Sequence, residues 1–141
     1  MRAINWLSRL TDLNPYGAKH GKAPHKPLFL LVVLELAERG ALPADRLWLT
    51  PELAFRFNSF WQVVAYRRTQ PPNVRMPFHH LGTQRFWTPF TESGERSPHR
   101  SMTRYIEFDP DFAAAVRDPA FREQARRILI AKHFEPAERN A

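Results

Sequence analysis

The chain has 141 residues, 43% of them hydrophobic, and carries 21 Lys+Arg against 14 Asp+Glu, a formal net charge of +7, with no cysteine. This length and apolar fraction suit one folded domain, while the missing cysteine excludes disulfides, thiolate zinc sites, a thiol nucleophile and iron–sulfur clusters. The longest apolar run, Pro27 to Leu34, is far shorter than a membrane span, and the N-terminus lacks the features of a secretory signal, so a soluble cytoplasmic protein without membrane contact is expected.

Ile4, Leu7 and Leu10 recur three apart with Trp6 beside them, which predicts a short helix ended by the turn cluster Asn14-Pro15-Tyr16-Gly17. Residues 19–24 read as a basic loop. A helix over His25 to Arg39 follows, with Pro27 in its first turn and Gly40 at its C-terminal end. It is apolar nearly all round, so it is the expected central helix. Arg46 to Leu49 is strand-like. Thr50 then caps a helix predicted to reach about Arg68, with Leu53, Phe57, Phe60, Trp61 and Val64 on one face.

Val74 to Phe90 reads as two β-like runs flanking Gly82-Thr83-Gln84, a hairpin pattern. On such a strand His79 and His80 point to opposite faces. Residues 91–101 are expected to be an exposed loop and Tyr105 to Phe108 a strand. Asp109 starts a helix through Arg117, and Asp118-Pro119 caps another through His133. The predicted class is α+β: one compact, mainly helical domain over residues 1–135 with a small β-hairpin or sheet, and a frayed tail or linker start at 136–141.

The positive charge is clustered. Residues 13–34 carry three lysines and no acid, and residues 56–106 carry eight arginines against Glu92 and Glu95, while the remainder is slightly acidic. Interspersed signs are the pattern of an ordinary soluble surface. Acid-poor blocks with interleaved aromatics fit a phosphate-contacting face, and arginine outnumbers lysine 17 to 4, which suits bidentate contacts to phosphate.

Catalytic patterns are absent. There is no HExxH, no phosphate-binding loop and no dinucleotide fingerprint. An HNH nuclease needs an Asn and a further His suitably spaced, whereas beyond His80 only His99, His133 and Asn140 remain. A metal-dependent nuclease using His79, His80 and His99 is therefore a minor alternative, and a protein-interaction module is another. No catalytic residue, metal or cofactor is expected.

Two segments read as binding elements. Lys19, Lys22, His25 and Lys26 lead into a helix N-terminus, where free N–H groups and the dipole favour phosphate. Arg75 to Leu81 sets apolar Met76 and Pro77 beside Arg75, His79 and His80. Arg67 and Arg68 add charge shortly before it.

The opening APHKPLFLL, the later Phe60-Trp61 pair and the MPFHHL…FW stretch together resemble the sulfur-binding domain of phosphorothioate-dependent type IV restriction endonucleases. The resemblance spans roughly residues 1–135. It implies recognition of double-stranded DNA in which sulfur replaces a non-bridging phosphate oxygen, as part of a host-defence restriction system. An HNH nuclease would then lie on a fused domain or a partner. It also implies a sulfur pocket around the Pro77 ring with Met76, His79 and His80 at its wall, His25 and Lys26 on the backbone phosphates, and a downstream arginine, Arg100 or Arg104. Met76 departs from the aromatic expected before the proline, and His79 or His80 from a small residue after it. Sulfur is softer and less strongly hydrated than oxygen, so an apolar notch ringed by cations favours it. A general DNA- or RNA-binding domain indifferent to sulfur is the alternative.

Overall fold

The structure, a computed structural model, describes residues 5–13, 24–43, 45–67 and 72–138. Lys19, Lys22 and Arg68 lie outside the described residues.

Side-chain caps at helix starts fix much of the architecture. Asn5 Oδ1 accepts from Ser8 N, Thr50 Oγ1 from Leu53 N, Asp109 Oδ1 from Asp111 N and Asp118 Oδ1 from Ala120 N. Pro51, Pro110 and Pro119 follow three of these caps at the first helical position, where no N–H is needed. The helices are α1 (Trp6–Thr11), α2 (His25–Glu38), α3 (Pro51–Trp61), α4 (Arg75–His80), α5 (Pro110–Ala115) and α6 (Pro119–His133). Three strands, β1 (Arg46–Trp48), β2 (Trp87–Phe90) and β3 (Tyr105–Phe108), form one antiparallel sheet in the order β1-β3-β2. The class is α+β with a helical majority. No described helix is long and apolar enough to cross a membrane.

The apolar helix α2 is central, packing against α3, α4 and α6. Phe29 on α2 meets Phe57, the edge of Phe78 and the edge of Trp87, joining α3, α4 and β2 around one buried ring. The inner face of the sheet supplies Leu47, Trp87, Ile106 and Phe108 to the same core.

Two expectations need correction. The hairpin over Val74 to Phe90 is instead helix α4 followed by a 3-10 turn, Leu81–Gln84, and only β2 is extended. Just before this helix Asn73 forms a side-chain turn, its Oδ1 accepting from Arg75 N at 3.1 Å, and Val74, Phe78 and Leu81 repeat at the helical period. Second, α3 stops at Trp61 rather than near Arg68. Val63 N and Val64 N bond back only three residues, the tightening that draws Val64 into the core, and a 3-10 turn follows at Ala65–Arg67. Beyond α6 a 3-10 turn follows at Pro136–Glu138, where the buried Glu138 carboxylate accepts from Glu135 N at 2.7 Å.

Candidate nucleic-acid interface

The helical conformation of Arg75–His80 changes how its side chains relate. His79 and His80 follow Met76 by three and four residues, so all three share one side of α4 instead of alternating across a strand. Their imidazoles stand nearly perpendicular with centroids 4.9 Å apart. The opposite side is anchored: Phe78 is fully buried against Phe29, and its carbonyl accepts the Trp87 indole N–H at 2.8 Å. Gly82, just beyond α4, allows β2 to approach closely, since a Cβ there would stand 2.8 Å from the Pro89 ring.

The start of α2 lies against this unit. His25 is buried with its ring 4.5 Å from Trp61. Lys26 is only 5% exposed, and its ammonium donates to Gln84 Oε1 at 3.0 Å. Gln84 is itself fixed, its carbonyl accepting from Arg9 Nη1 at 3.1 Å. Burial lowers the Lys26 pKa below its ordinary value.

The loop between β2 and β3 closes the third side. Thr103 is fully buried with Oγ1 at 2.6 Å from His79 Nδ1 and 2.8 Å from Ser97 Oγ. Ser97 uses its own proton on the His99 carbonyl at 2.8 Å, so Thr103 donates to Ser97 and accepts from His79. A neutral His79 therefore carries its proton on Nδ1 and turns the Nε2 lone pair away from this network.

These elements concentrate positive charge. Burial lowers the His79 pKa first, followed by the charges of His99 and Arg100. Burial also leads for His80, followed by His79, Lys26 and Arg100. His79 thus lies within electrostatic reach of His99 and Arg100, and His80 within reach of His79, Lys26 and Arg100, with no carboxylate among the groups acting on either imidazole. Arg75, the first residue of α4, is half-buried, with one guanidinium nitrogen buried and without a hydrogen-bond partner among the described residues. Such a cluster repels itself until an anion arrives.

The remaining expected residues are distributed differently. Met76 is 1% exposed and Pro77 is buried, so the apolar step lies beneath the surface rather than in an open notch. Arg67 belongs to the Ala65–Arg67 turn. Arg100 and Arg104 are both exposed; the backbone of Arg104 is tied into the sheet end, its N–H bonding Phe90 O and its carbonyl accepting from Leu49 N, and Arg100 is the one that acts on the imidazoles. Sequence reasoning missed Gln84, Ser97 and Thr103; the first sat in an apparent turn, and the other two are ordinary loop residues. Among the described residues, no three His, Asp or Glu side chains are grouped to hold a metal ion.

A pH dependence follows from the imidazoles. The unfolded chain binds protons near pH 6.5, whereas the folded chain holds His79 and His80 below that value. Their contribution to stability is full above about pH 6.5 and is lost as the pH falls from there through the folded pKa values. Thermal melts should therefore show Tm falling over this acid window, and His80→Gln should flatten the decline. DNA affinity should move the opposite way, because protonation adds positive charge to the face; titration at fixed salt measures it.

No protein-family model matches the chain, and no curated protein matches it. Among solved structures, the sulfur-binding domain of ScoMcrA complexed with phosphorothioated DNA matches with a TM-score of 0.63, covering 93% of this chain and 88% of that one at 21% identity. The two share a fold.

Proposed function

We propose that this chain is a DNA-binding module that grips the duplex backbone with its α2–α4 face and selects linkages carrying phosphorothioate sulfur. The convergence of Lys26, His79, His80 and Arg100 on one acid-free patch carries the reading. It is supported by the fold shared with a domain solved on phosphorothioated DNA. Lys26, Arg75 and Arg100 hold phosphate oxygens, and the His25 side of α2 sets the register. In this reading the sulfur meets the α4 surface beside the His79 and His80 rings, over the buried Met76 thioether and Pro77 ring. The chain serves as the recognition part of a restriction system, and cleavage belongs to an HNH nuclease on a fused domain or a partner.

One observation favours a second reading. Because Met76 and Pro77 are covered, a DNA-binding domain indifferent to sulfur would use the same cations and leave the apolar step as core.

Competition binding between matched duplexes with and without one phosphorothioate separates the two. Sulfur selection predicts a preference of about 5- to 100-fold, the size of one small apolar or hydrogen-bond difference. Pro77→Ala should reduce the preference while salt-sensitive binding persists. Equal affinities for the two duplexes would establish the second reading.

A further inference from the structure

The outer face of the sheet presents a second feature, remote in role from the α2–α4 face. Register aligns Trp48 with Tyr105, Tyr105 with Phe90, and Phe90 with Arg96 across an isolated bridge. Paired residues project from the same face, so these four side chains form one row across the sheet. The ring centroids are 4.6 Å apart for Trp48 and Tyr105 and 5.2 Å apart for Tyr105 and Phe90, the latter pair stacked at 15°. The adjacent row holds Arg46, Glu107 and Thr88. Arg46 lies over the Tyr105 ring at 4.7 Å and pairs with Glu107 at 3.0 Å.

Sheet packing does not require this row, because the inner face already supplies Leu47, Trp87, Ile106 and Phe108 to the core. Tyr105 is sealed by its neighbours, but Trp48 is 44% exposed on an edge strand. Arg96 at the far end of the row is exposed, and the one acid within the two rows, Glu107, is neutralised by Arg46. An aromatic ridge with guanidinium groups beside it matches a ligand with flat apolar faces joined by anionic links. Single-stranded nucleic acid has that chemistry, since every base has a π-face and every link a charge. In a duplex the bases are already stacked and unavailable.

We propose that the outer sheet face binds single-stranded DNA, an unpaired base stacking on Trp48 and a flanking phosphate meeting Arg96. This contact is independent of duplex recognition by the α2–α4 face.

Intrinsic fluorescence tests it directly, because Trp6, Trp61 and Trp87 are buried and Trp48 alone among the tryptophans is exposed. Titrating the full chain with an unmodified oligothymidine of about 16 nucleotides at low salt should quench the emission saturably. Trp48→Ala should weaken that binding about 5- to 100-fold, measured by anisotropy, while Trp48→Phe stays close to the parent chain and duplex affinity is unchanged. Lys26→Ala should weaken duplex binding and leave oligothymidine binding unchanged. If wild-type duplex binding is absent while oligothymidine still quenches, duplex recognition fails and the sheet-face contact stands. Absence of quenching overturns the proposal, as does an unchanged affinity in Trp48→Ala. Quenching by an apolar peptide or by self-association, without any by oligothymidine, overturns it too.

Discussion

Replacing Lys26 with alanine should weaken binding to sulfur-bearing and sulfur-free duplexes alike, by about 10- to 100-fold at low salt, and reduce the salt dependence by about one ion. The magnitude follows from the setting of the ammonium. It stands among His80 and Arg100 with burial already lowering its pKa, and its bond to Gln84 aims it at a fixed point. A preoriented, partly desolvated charge meeting phosphate is worth about 1.5–3 kcal/mol, more than a mobile surface lysine supplies. The loss is common to both duplexes because the ammonium reads charge, not the polarizability that distinguishes sulfur from oxygen. Lys26→Met keeps most of the buried stem and removes the charge. Equal binding losses in both variants, with Tm values near wild type, assign the effect to the ammonium. Affinities within twofold of wild type would instead confine Lys26 to its structural bond with Gln84.

Thr103→Val should be the most damaging conservative change in the loop. The two side chains have nearly the same shape, so the effect isolates the hydroxyl. That hydroxyl holds His79 Nδ1 at 2.6 Å and Ser97 Oγ at 2.8 Å inside the protein. Without it, the imidazole and the serine each lose a buried partner, at about 1–3 kcal/mol apiece. A total near 3 kcal/mol corresponds to a fall in Tm of roughly 10 °C for a domain of this size. Duplex affinity should fall as well, because the loop carrying Arg100 loses its tether to α4. A melt within roughly 2 °C of wild type would show that water or a neighbouring group replaces the hydroxyl.

What could be read from the sequence divides along the range of the interactions. Helices α2, α5 and α6 were legible because their caps and prolines act within a single turn, as at Asp109-Pro110 and Asp118-Pro119. Strand β3 was legible from a short apolar run. Helix α4 was not, since Gly82-Thr83-Gln84 resembles a hairpin turn and outweighed the Val74, Phe78, Leu81 period and the Asn73 turn. The site was legible in its residue types but not in its assembly. His25, Lys26, His79 and His80 were identifiable as two separate motifs, whereas their approach depends on Phe29 packing against Phe78 and on Trp87 holding the Phe78 carbonyl. The burial of Met76 and Pro77 likewise arises from tertiary packing, which no local pattern announces.

The first turn of α2 carries His25 and Lys26, and the next residues, Leu28, Phe29 and Leu30, are among the most buried in the chain. Residues mounted this way have no private low-energy opening. Amide hydrogen exchange at Leu30 and beyond should proceed only through global unfolding, with the full stability of the domain as its barrier. Holding the basic pair therefore draws on the same cooperative unit as the core itself, and a ligand seated there reports on the whole fold. Mutations deep in the α2–α3–α6 packing should then lower apparent affinity only to the extent that they depopulate the folded state, without touching any group that meets the ligand.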